Sequence, residues 1–308
     1  MGGDLSFLIV GTPRSGTTLA QRLACEISGV AVPPETHFLY FFAADLYRRR
    51  SFPLDAQAIR DEIALYAALD NARELEVDAN AVVDELGGSC RSILELFSAL
   101  VRHLAGPADT YGEKTPAHVV WWEKLAVAAP SMKFVAVVRH PAAVVASWVE
   151  AWPHESWAAA AERWTLDQIR VGEMIDALGP RRALLLRFED VVADPDAARR
   201  RLAAFLDHSP PARPAAPARA LYLSWETWKR RSLGPVDAGR ADAWRRTLTP
   251  EQVAYVSHIC SAGMERFGYA VPDPLPPPAA AGSHRSEIER CRDERWTKLR
   301  EAFETRVD

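Results

Sequence analysis

Runs of apolar residues that suit buried strands alternate with helical periodicity along most of the chain. Phe7–Val10 and Phe134–Val138 are continuous apolar runs, which is typical of strands buried on both faces of a parallel sheet. Val30–Val32 and Ala183–Asp190 predict two further strands. Because helical segments separate these runs, the pattern predicts a doubly wound α/β domain with a parallel sheet.

Residues 38–105 show helical periodicity rather than strand patterning. Ile59 and Ile63 lie four residues apart, and a second set of apolar residues with helical spacing follows towards the end of the segment. Gly87 and Gly88 predict a break between two of these helices. The segment is interpreted as a helical insertion. Two roles stay open for it: a lid over the substrate, or packing helices without a site.

The domain is predicted to span residues 1–271. Thr249 and Pro250 are predicted to cap and start its last helix. Residues 272–282 are rich in Pro and Ala and are interpreted as a linker. Residues 283–308 predict a charged helix with apolar residues along one side. This helix either packs back on the domain or joins a second copy of the chain in a homo-oligomer.

The composition is that of an ordinary globular protein and argues against several functional classes. Of 308 residues, 48% are hydrophobic and 25% are charged, and the net charge of −4 argues against general nucleic-acid or membrane binding. No apolar run is long enough to span a bilayer. The four cysteines are scattered without a C-x-x-C pair, so neither a zinc site nor a disulfide framework is indicated. A reducing, cytoplasmic compartment is therefore predicted.

A glycine-bracketed loop after the first strand is the strongest candidate for chemistry. Gly11 and Gly16 bracket a tight turn, and Thr17 and Thr18 open the helix that follows. Backbone N–H groups and the helix dipole make such a strand–loop–helix junction an anion site. The candidate phosphate-binding residues are Thr12, Pro13, Arg14, Ser15, Gly16, Thr17 and Thr18.

The spacing of this loop is similar to that of a Walker A loop, G-x-x-x-x-G-K-[ST], but the cation stands elsewhere. Thr17 occupies the position of the phosphate-gripping lysine, and Arg14 lies inside the loop instead. A nucleotide kinase uses that lysine and Mg²⁺ to neutralise several phosphate charges. A single arginine with hydroxyls suits a 5′-phosphate with less charge. A P-loop-type nucleotide kinase is the alternative.

These elements resemble the cofactor-binding motifs of sulfotransferases that use 3′-phosphoadenosine 5′-phosphosulfate (PAPS). The loop Gly11–Thr18 is similar to the family's 5′-phosphosulfate loop. Arg139, Pro141 and Ser147 resemble its R-[DH]-P-x-x-x-x-x-S signature, in which the arginine and the serine hold the ribose 3′-phosphate. Phosphate sites at two strand ends then imply a nucleotide with phosphates on both its 5′ and 3′ sides.

The resemblance assigns roles to two further segments. Glu113–Pro116 resembles the family's E-K-[ST]-P segment, in which the lysine, here Lys114, approaches the transferring sulfonate. A compact ammonium suits an oxygen that gains negative charge as a bond breaks. Family members also fold a loop over the cofactor, with a basic residue on the 3′-phosphate ahead of a tryptophan. This corresponds to Trp244 with either Arg240 or Arg245, and the sequence leaves both arginines open.

The function implied by the resemblance is transfer of a sulfuryl group from PAPS to a hydroxyl of a small-molecule or lipid-like acceptor, with PAP as product. Such transfer is expected to be in line and to rely on positioning and charge. Arg14 and Lys114 would stabilise the leaving phosphate. The transferred group carries one negative charge, so no metal is expected. A non-catalytic PAP-binding protein is the alternative outside the enzymes.

Glu35 and His37 are the two candidates for the base that deprotonates the acceptor hydroxyl. They follow Pro33 and Pro34, whose restricted backbone predicts an extended segment at the end of a strand. In an extended segment, side chains two residues apart share a face. The resemblance favours Glu35, whereas electrostatics alone leaves both residues open.

Overall fold

A five-stranded parallel sheet lies at the centre of the fold. The structure is a computed structural model and describes residues 5–210 and 220–273. The strands in these residues are β1 (Phe7–Gly11), β2 (Val30–Ala31), β3 (Leu54–Asp55), β4 (Ser89–Cys90), β5 (Thr110–Glu113), β6 (Lys133–Val138) and β7 (Ala183–Arg187). β3 and β4 form a small antiparallel pair, and the other five strands are ordered β2-β5-β1-β6-β7.

Helices connect the strands throughout the described residues. The α-helices are α1 (Thr17–Cys25), α2 (Ala43–Arg49), α3 (Ala56–Ala67), α4 (Ala79–Glu85), α5 (Ile93–Ala105), α6 (Trp122–Ala128), α7 (Pro141–Ala151), α8 (Trp157–Leu178), α9 (Phe188–Ala193), α10 (Pro195–Phe205) and α11 (Pro250–Arg266). A π-helical turn spans Phe38–Phe42, and 3₁₀ turns span Arg73–Leu75, Pro116–Trp121, Thr227–Leu233, Ala238–Arg240 and Ala243–Arg246. Within residues 5–210 and 220–273, no helix has both the length and the apolar character needed to cross a membrane.

Side chains alternate between the two faces of the sheet, and each face has its own core. Leu8 and Phe134 belong to one cluster, together with apolar residues of α5, α7, α8 and α11. Phe7 and Val135 belong to the other, together with residues of α1 and α10. Helices cover both faces of a parallel sheet, which confirms the predicted doubly wound α/β architecture.

The direction and register of the central strands set the place of the site. β1 pairs with β6 up to Gly11↔Val137 and with β5 on its other side, and all three strands are parallel. The residues that follow these strands therefore emerge at one edge of the sheet, where α/β folds bind ligands. The glycine-bracketed loop, Lys114 and Arg139 all start at this edge.

Some predicted elements differ in extent from those observed. The strand expected over Ala183–Asp190 ends at Arg187, and the expectation for its last residues was wrong. Glu189 and Asp190 instead lie in the first turn of α9, where acidic side chains stabilise the helix dipole. The pair β3–β4 was not predicted, because strands of two residues leave no alternating pattern.

Two other expectations about helices hold. α4 is followed by Gly87 and Gly88, both with positive φ, which confirms the predicted break. α11 begins with the predicted Thr249 cap, which forms a capping box with Gln252. The predicted helix at residues 283–308, its contact with a second copy, and most of the predicted linker lie outside the described residues.

Candidate active site

A cavity of about 650 Å³ lies at the carboxyl edge of the sheet. Its volume is in the usual range of small-molecule sites, roughly 300–1,000 Å³. Most of the predicted site residues line it: Pro13, Arg14, Gly16, Thr17, Thr18, Glu35, His37, Arg139, Ser147 and Arg240. The remaining predicted site residues are buried outside this lining: Thr12, Ser15, Lys114 and Trp244.

The glycine-bracketed loop depends on two positions where a side chain would collide with the fold. Gly11 has a φ of +147°, and a Cβ there would lie 2.4 Å from the carbonyl oxygen of Val137. Gly16 has a φ of +95°, and a Cβ there would lie 2.3 Å from the ring of Phe188. Glycine at both positions therefore lets the loop approach β6 and α9 closely.

Arg14 links the loop to the second predicted phosphate motif. Its Nε and Nη2 donate to the hydroxyl of Ser147 at 3.2 and 3.1 Å. Its guanidinium also lies 5.7 Å from the centre of the Trp152 ring. Burial lowers the pKa of Arg14 to about 10, with Glu150 and Glu35 acting in the opposite direction. The side chain therefore stays a cation at neutral pH at the point where the two motifs meet.

Arg139 joins the loop to residues 225–240, which we call the covering segment because they form one wall of the cavity. Nη1 of Arg139 donates to the carbonyl oxygen of Arg14 at 3.1 Å, and Nη2 donates to that of Arg240 at 2.8 Å. The guanidinium lies 4.2 Å from the centre of the Phe188 ring. Its Nε is buried without a hydrogen-bond partner in the described part of the chain.

The geometry separates the two arginines that the sequence left open. Arg240 lines the cavity, and its guanidinium lies 3.6 Å from the carboxylate of Glu150. Arg245 is exposed and pairs with Asp242 at 3.0 Å. It also lies over the ring of Trp244, 4.5 Å from the centre. Arg240, and not Arg245, is thus the arginine beside the cavity.

Trp244 packs against the start of α7 instead of lining the cavity. Its ring stacks on that of His140 with 4.8 Å between the centres. Nδ1 of His140 caps α7 by accepting the backbone N–H of Ala142 at 3.2 Å, and the backbone N–H of His140 donates to Glu189 at 2.9 Å. Burial lowers the pKa of His140 to about 4, so the ring is neutral and its Nδ1 can accept the N–H of Ala142. Glu189 also accepts the hydroxyl of Tyr269 at 2.9 Å, so its carboxylate joins α7 to the residues that follow α11.

Three consecutive residues at the end of β5 bond to three consecutive residues that follow β2. The pairs are Glu113 with Thr36, Lys114 with Glu35, and Thr115 with His37. Because β2 and β5 are neighbours in the sheet, this pairing extends the contact between them past the ends of the strands. It holds Glu35 and His37 at the cavity.

The carboxylate of Glu113 is the most fully hydrogen-bonded group in this pairing. It is completely buried and accepts the N–H and hydroxyl of Thr36 at 3.1 and 2.9 Å. It also accepts the hydroxyl of Thr115 at 2.6 Å and Nδ1–H of His118 at 2.9 Å. Burial favours a raised pKa for Glu113, but His118 and these hydrogen bonds lower it overall. The group is therefore an ionised anchor beneath the cavity.

Glu35 lies at the cavity wall with two lysine ammonium groups against one of its oxygens. Oε1 accepts Nζ of Lys114 and, at 2.5 Å, Nζ of Lys229. Oε2 lies 3.3 Å from Nε2 of His37. Burial favours a raised pKa for Glu35, but Lys114 and Lys229 lower it well below its usual range. Glu35 is therefore a carboxylate at neutral pH.

Lys114 lies behind the cavity wall. It is fully buried, and its Nζ donates to the hydroxyl of Thr18 at 3.3 Å in addition to Glu35. Burial lowers the pKa of Lys114 to about 8, with Glu35 acting in the opposite direction. The ammonium thus connects the start of α1 to the base candidate.

The backbone at His37 is not extended, so the predicted extended segment was wrong at this residue. Its φ of 52° and ψ of 10° are left-handed, and the π-helical turn Phe38–Phe42 begins directly after it. At this turn the N–H of His37 donates to the hydroxyl of Thr115 at 3.2 Å. Even so, the side chains of Glu35 and His37 are in contact. Burial lowers the pKa of His37, which favours a neutral ring.

Aromatic side chains form the wall of the cavity near Glu35 and His37. Besides Phe188, which lies under Arg139, the aromatic lining residues are Tyr40, Phe41, Trp148, Trp152, Trp225 and Trp228. The ring centres of Trp152 and Trp228 are 5.4 Å apart, which joins α7 to the covering segment. Trp157, at the start of α8, does not line the cavity and packs on Tyr255 of α11.

Comparison with known proteins identifies the family. A model described as "Sulfotransferase family" matches residues 6–210, more than half of the chain. The chain belongs to the sulfotransferase family. No curated protein sequence matches it.

Solved sulfotransferase domains share the fold. The domain from the Synechococcus PCC 7002 olefin synthase has a TM-score of 0.61 and 21% identity, over 87% of this chain and 95% of that one. The domain from the curacin biosynthetic pathway has a TM-score of 0.59 and 19% identity, over 88% of this chain and 99% of that one. At these identities the likeness establishes the fold alone.

Part of the site of this sulfotransferase lies beyond the family match, in the covering segment. Glu226 and Lys229 come from that segment, and sequence reasoning missed both. Lys229 is 194 residues from Glu35, so no local spacing connects them. The one available signal is the three-residue spacing of Glu226 and Lys229, which suits an ion pair on a helical turn.

One group of potential metal ligands occurs in the described residues, and it coincides with this site. Ligand atoms of Glu35, His37 and Glu226 all lie within 4.8 Å of one another. The ammonium of Lys229 already bonds the carboxylates of both Glu35 and Glu226. The ammonium of Lys229 thus supplies positive charge to these carboxylates, and a metal ion would have to displace it in order to bind them.

Replacing Glu113 tests the anchor beneath the cavity. Glu113→Ala leaves the buried hydroxyls of Thr36 and Thr115 without their acceptor, so we expect the free energy of unfolding to fall by about 3–5 kcal/mol in urea denaturation. The control Asp70→Ala removes a carboxylate that is 91% exposed and paired with Arg73, and it should cost less than about 1 kcal/mol.

The same anchor gives an acid-dependent stability. The pKa of Glu113 is lower in the folded state than in the unfolded state. Its contribution to the free energy of unfolding is therefore fully present at a pH above its unfolded-state pKa, and it is lost as the pH falls through its folded-state pKa. Urea midpoints measured from pH 7 to pH 3 should fall less steeply in Glu113→Gln than in the wild type. Parallel curves for the two proteins would contradict this assignment.

Proposed function

We propose that this sulfotransferase transfers a sulfuryl group from PAPS to a hydroxyl of a small-molecule or lipid-like acceptor and releases PAP. The observation that carries the proposal is the meeting of two phosphate-binding motifs at one cavity, through the hydrogen bonds of Arg14 to Ser147. PAPS carries a 3′-phosphate and, on its 5′-phosphate, the sulfuryl group that is transferred.

An unpaired donor at the cavity supports the fit of such a nucleotide. Nε of Arg139, a residue that lines the cavity, is buried without a hydrogen-bond partner in the described residues. A buried donor without a partner is costly, and an anionic oxygen at the second motif would satisfy it. Arg14 and Arg240 line the same cavity, so several cations face the space in which an anionic nucleotide would lie.

The proposed roles follow the two motifs. The loop amides, Arg14, Thr17 and Thr18 would hold the 5′ side, at the N-terminus of α1. Arg139, Ser147 and Arg240 would hold the 3′-phosphate. The transferred group carries one negative charge, so these cations are sufficient in the proposal without a metal ion.

Glu35 is the proposed base. It lines the cavity, is ionised at neutral pH, and offers Oε2, which carries no lysine, to the proton of the acceptor hydroxyl. Lys114 lies behind the wall, so it would act on the negative charge that develops on the leaving phosphate through Thr18, to whose hydroxyl it donates. His37 is the competing base, because its neutral ring also lines the cavity.

The aromatic wall supports an apolar acceptor. Trp152 and Trp228 face the cavity near the base candidates, together with Tyr40 and Phe41. Aromatic side chains bury large apolar areas, so a flat or lipid-like scaffold with one reactive hydroxyl suits this wall better than a highly charged acceptor.

The free thiols support a cytoplasmic location, which we also propose. Cys25, Cys90 and Cys260 are free. Reducing compartments keep thiols in this state.

Incubation with radiolabelled PAPS tests the reaction. The acceptors would be phenols, apolar alcohols, sugars and charged hydroxy acids, each with EDTA present. We expect label transfer to the phenols or apolar alcohols, with activity that survives EDTA. Loss of activity in EDTA that Mg²⁺ restores, with ATP as donor, would favour the kinase alternative. PAP binding without transfer to any acceptor would favour a non-catalytic protein.

The two-phosphate site predicts nucleotide selectivity. PAP should bind at least about tenfold more tightly than AMP in calorimetry, since only PAP reaches Arg139, Ser147 and Arg240. Arg240→Ala should reduce this preference, whereas Arg245→Ala should leave it unchanged, because Arg245 lies outside the cavity. Equal affinities for PAP and AMP in the wild type would remove the 3′-phosphate site from the proposal.

Substitution separates the two base candidates. Glu35→Gln should lower kcat by about 10²–10⁴-fold, the usual contribution of a general base, while the Kd for PAP stays near that of the wild type. His37→Ala should lower kcat less. A larger loss in His37→Ala, with near-normal turnover in Glu35→Gln, would reverse the assignment.

A further inference from the structure

Lys229 reaches the proposed base from a part of the chain that the family match does not include. It lies in the 3₁₀ turn Thr227–Leu233 of the covering segment, whereas the family match ends at residue 210. Its side chain lines the cavity and is only 7% exposed. The contact with Glu35 is thus a tertiary feature that joins a residue inside the family match to one beyond its end.

The covering segment is held in place directly after Lys229. Arg22, on the helix that follows the glycine-bracketed loop, donates to the carbonyl oxygens of Ser232 and Gly234 at 2.8 and 2.6 Å. Arg231 pairs with Glu150 of α7 at 2.8 Å. These anchors connect the segment to both nucleotide motifs, so they fix the position of Lys229 relative to the cavity.

Lys229 completes a buried cluster of balanced charge. Its Nζ bonds Oε1 of Glu35 and the carboxylate of Glu226, and Lys114 bonds the same Oε1. Two carboxylates thus meet two ammonium groups. Without Lys229, two buried carboxylates would share one lysine, and buried unpaired charge is strongly unfavourable.

The two lysines on Glu35 are not equivalent. Burial lowers the pKa of Lys114 to about 8, whereas the carboxylates of Glu35 and Glu226 outweigh burial and raise that of Lys229. Lys229 is therefore the more firmly charged of the two partners. Both ammonium groups lie on Oε1, which leaves Oε2 facing His37.

From this geometry, and resting on the proposed function, we propose that Lys229 is a positioning residue for the transfer reaction. It ties the carboxylate of Glu35 to the covering segment and so presents Oε2 to the acceptor hydroxyl. The pairing with β5 holds Glu35 at the cavity, and Lys229 adds the contact through which the covering segment orients its carboxylate. Lys229 acts through Glu35, whereas the arginines of the two motifs would act on the nucleotide.

Lys229→Met tests this role, with Arg230→Met as the matched control. Arg230 is the next residue along the same turn, with the same charge, but it is exposed. With an acceptor found in the panel, Lys229→Met should lower kcat by about 10–100-fold, the cost of a misplaced catalytic group. The Kd for PAP, measured by calorimetry, should stay within about twofold of the wild type, since Lys229 bonds Glu35 and Glu226 and none of the residues proposed to hold the nucleotide. Arg230→Met should change neither value.

The decisive comparison repeats the change in a Glu35→Gln background. If Lys229 acts through Glu35, its loss should lower kcat by less than about threefold there, because the group that it positions is already inactive. An equal loss in both backgrounds would overturn the proposal, and so would a fall in PAP affinity that matches the fall in kcat. Lys229→Arg, which keeps the charge, should recover part of kcat and replaces the Met variant if that variant does not fold.

A stability cycle keeps this inference separate from the proposed function. Urea unfolding of the wild type, Lys229→Met, Glu35→Gln and the double variant measures the coupling between the two side chains without turnover. Wild-type protein that binds PAP but transfers nothing would defeat the proposed function. Absence of coupling in the cycle would defeat the Lys229 proposal, whether or not the protein turns over.

Discussion

The parallel alignment of β5, β1 and β6 is the constraint on which the whole candidate site depends. Parallel strands end at the same edge, so three segments far apart in the chain begin there side by side. The close approach of Gly11 to Val137 sets the glycine-bracketed loop against β6, within reach of Ser147 on the next helix. A side chain at Gly11 would push the loop away from the second motif, so a packing requirement and the binding geometry coincide.

Two buried carboxylates beside the cavity are stabilised in different ways, and the difference suits different roles. Glu113 is surrounded by four donors from Thr36, Thr115 and His118, with no solvent exposure, which makes it a rigid support. Glu35 is balanced by lysine ammonium groups and reaches the cavity wall. Lysine side chains are long and rotate more freely than a backbone N–H, so Glu35 is the carboxylate whose surroundings can respond to a ligand.

The site is assembled from two parts of the chain. Residues 6–210, which match the family, contribute the phosphate loop, the Arg139 motif and the Glu35 segment. The covering segment contributes Lys229, Arg240 and two of the tryptophans that line the cavity. Arg139 joins the two parts by donating to carbonyl oxygens in both, at Arg14 and at Arg240. The family motifs therefore form the side of the cavity where we propose that the nucleotide binds, while the second part shapes the wall beside the proposed base.

Local sequence determined the parts of this protein whose signal lies within a few residues. The apolar runs of β1 and β6, the glycine spacing, the Thr249 cap and the helical periods around Ile59 all express local rules, and the structure bears them out. The left-handed backbone of His37, the burial of Lys114 behind the wall and the position of Arg240 depend on contacts with distant residues. Lys229 is the clearest case, because 194 residues separate it from Glu35. Only the fold could decide that pairing. A buried carboxylate needs a cation as its partner, and tertiary packing determines which cation lies close enough to pair with it.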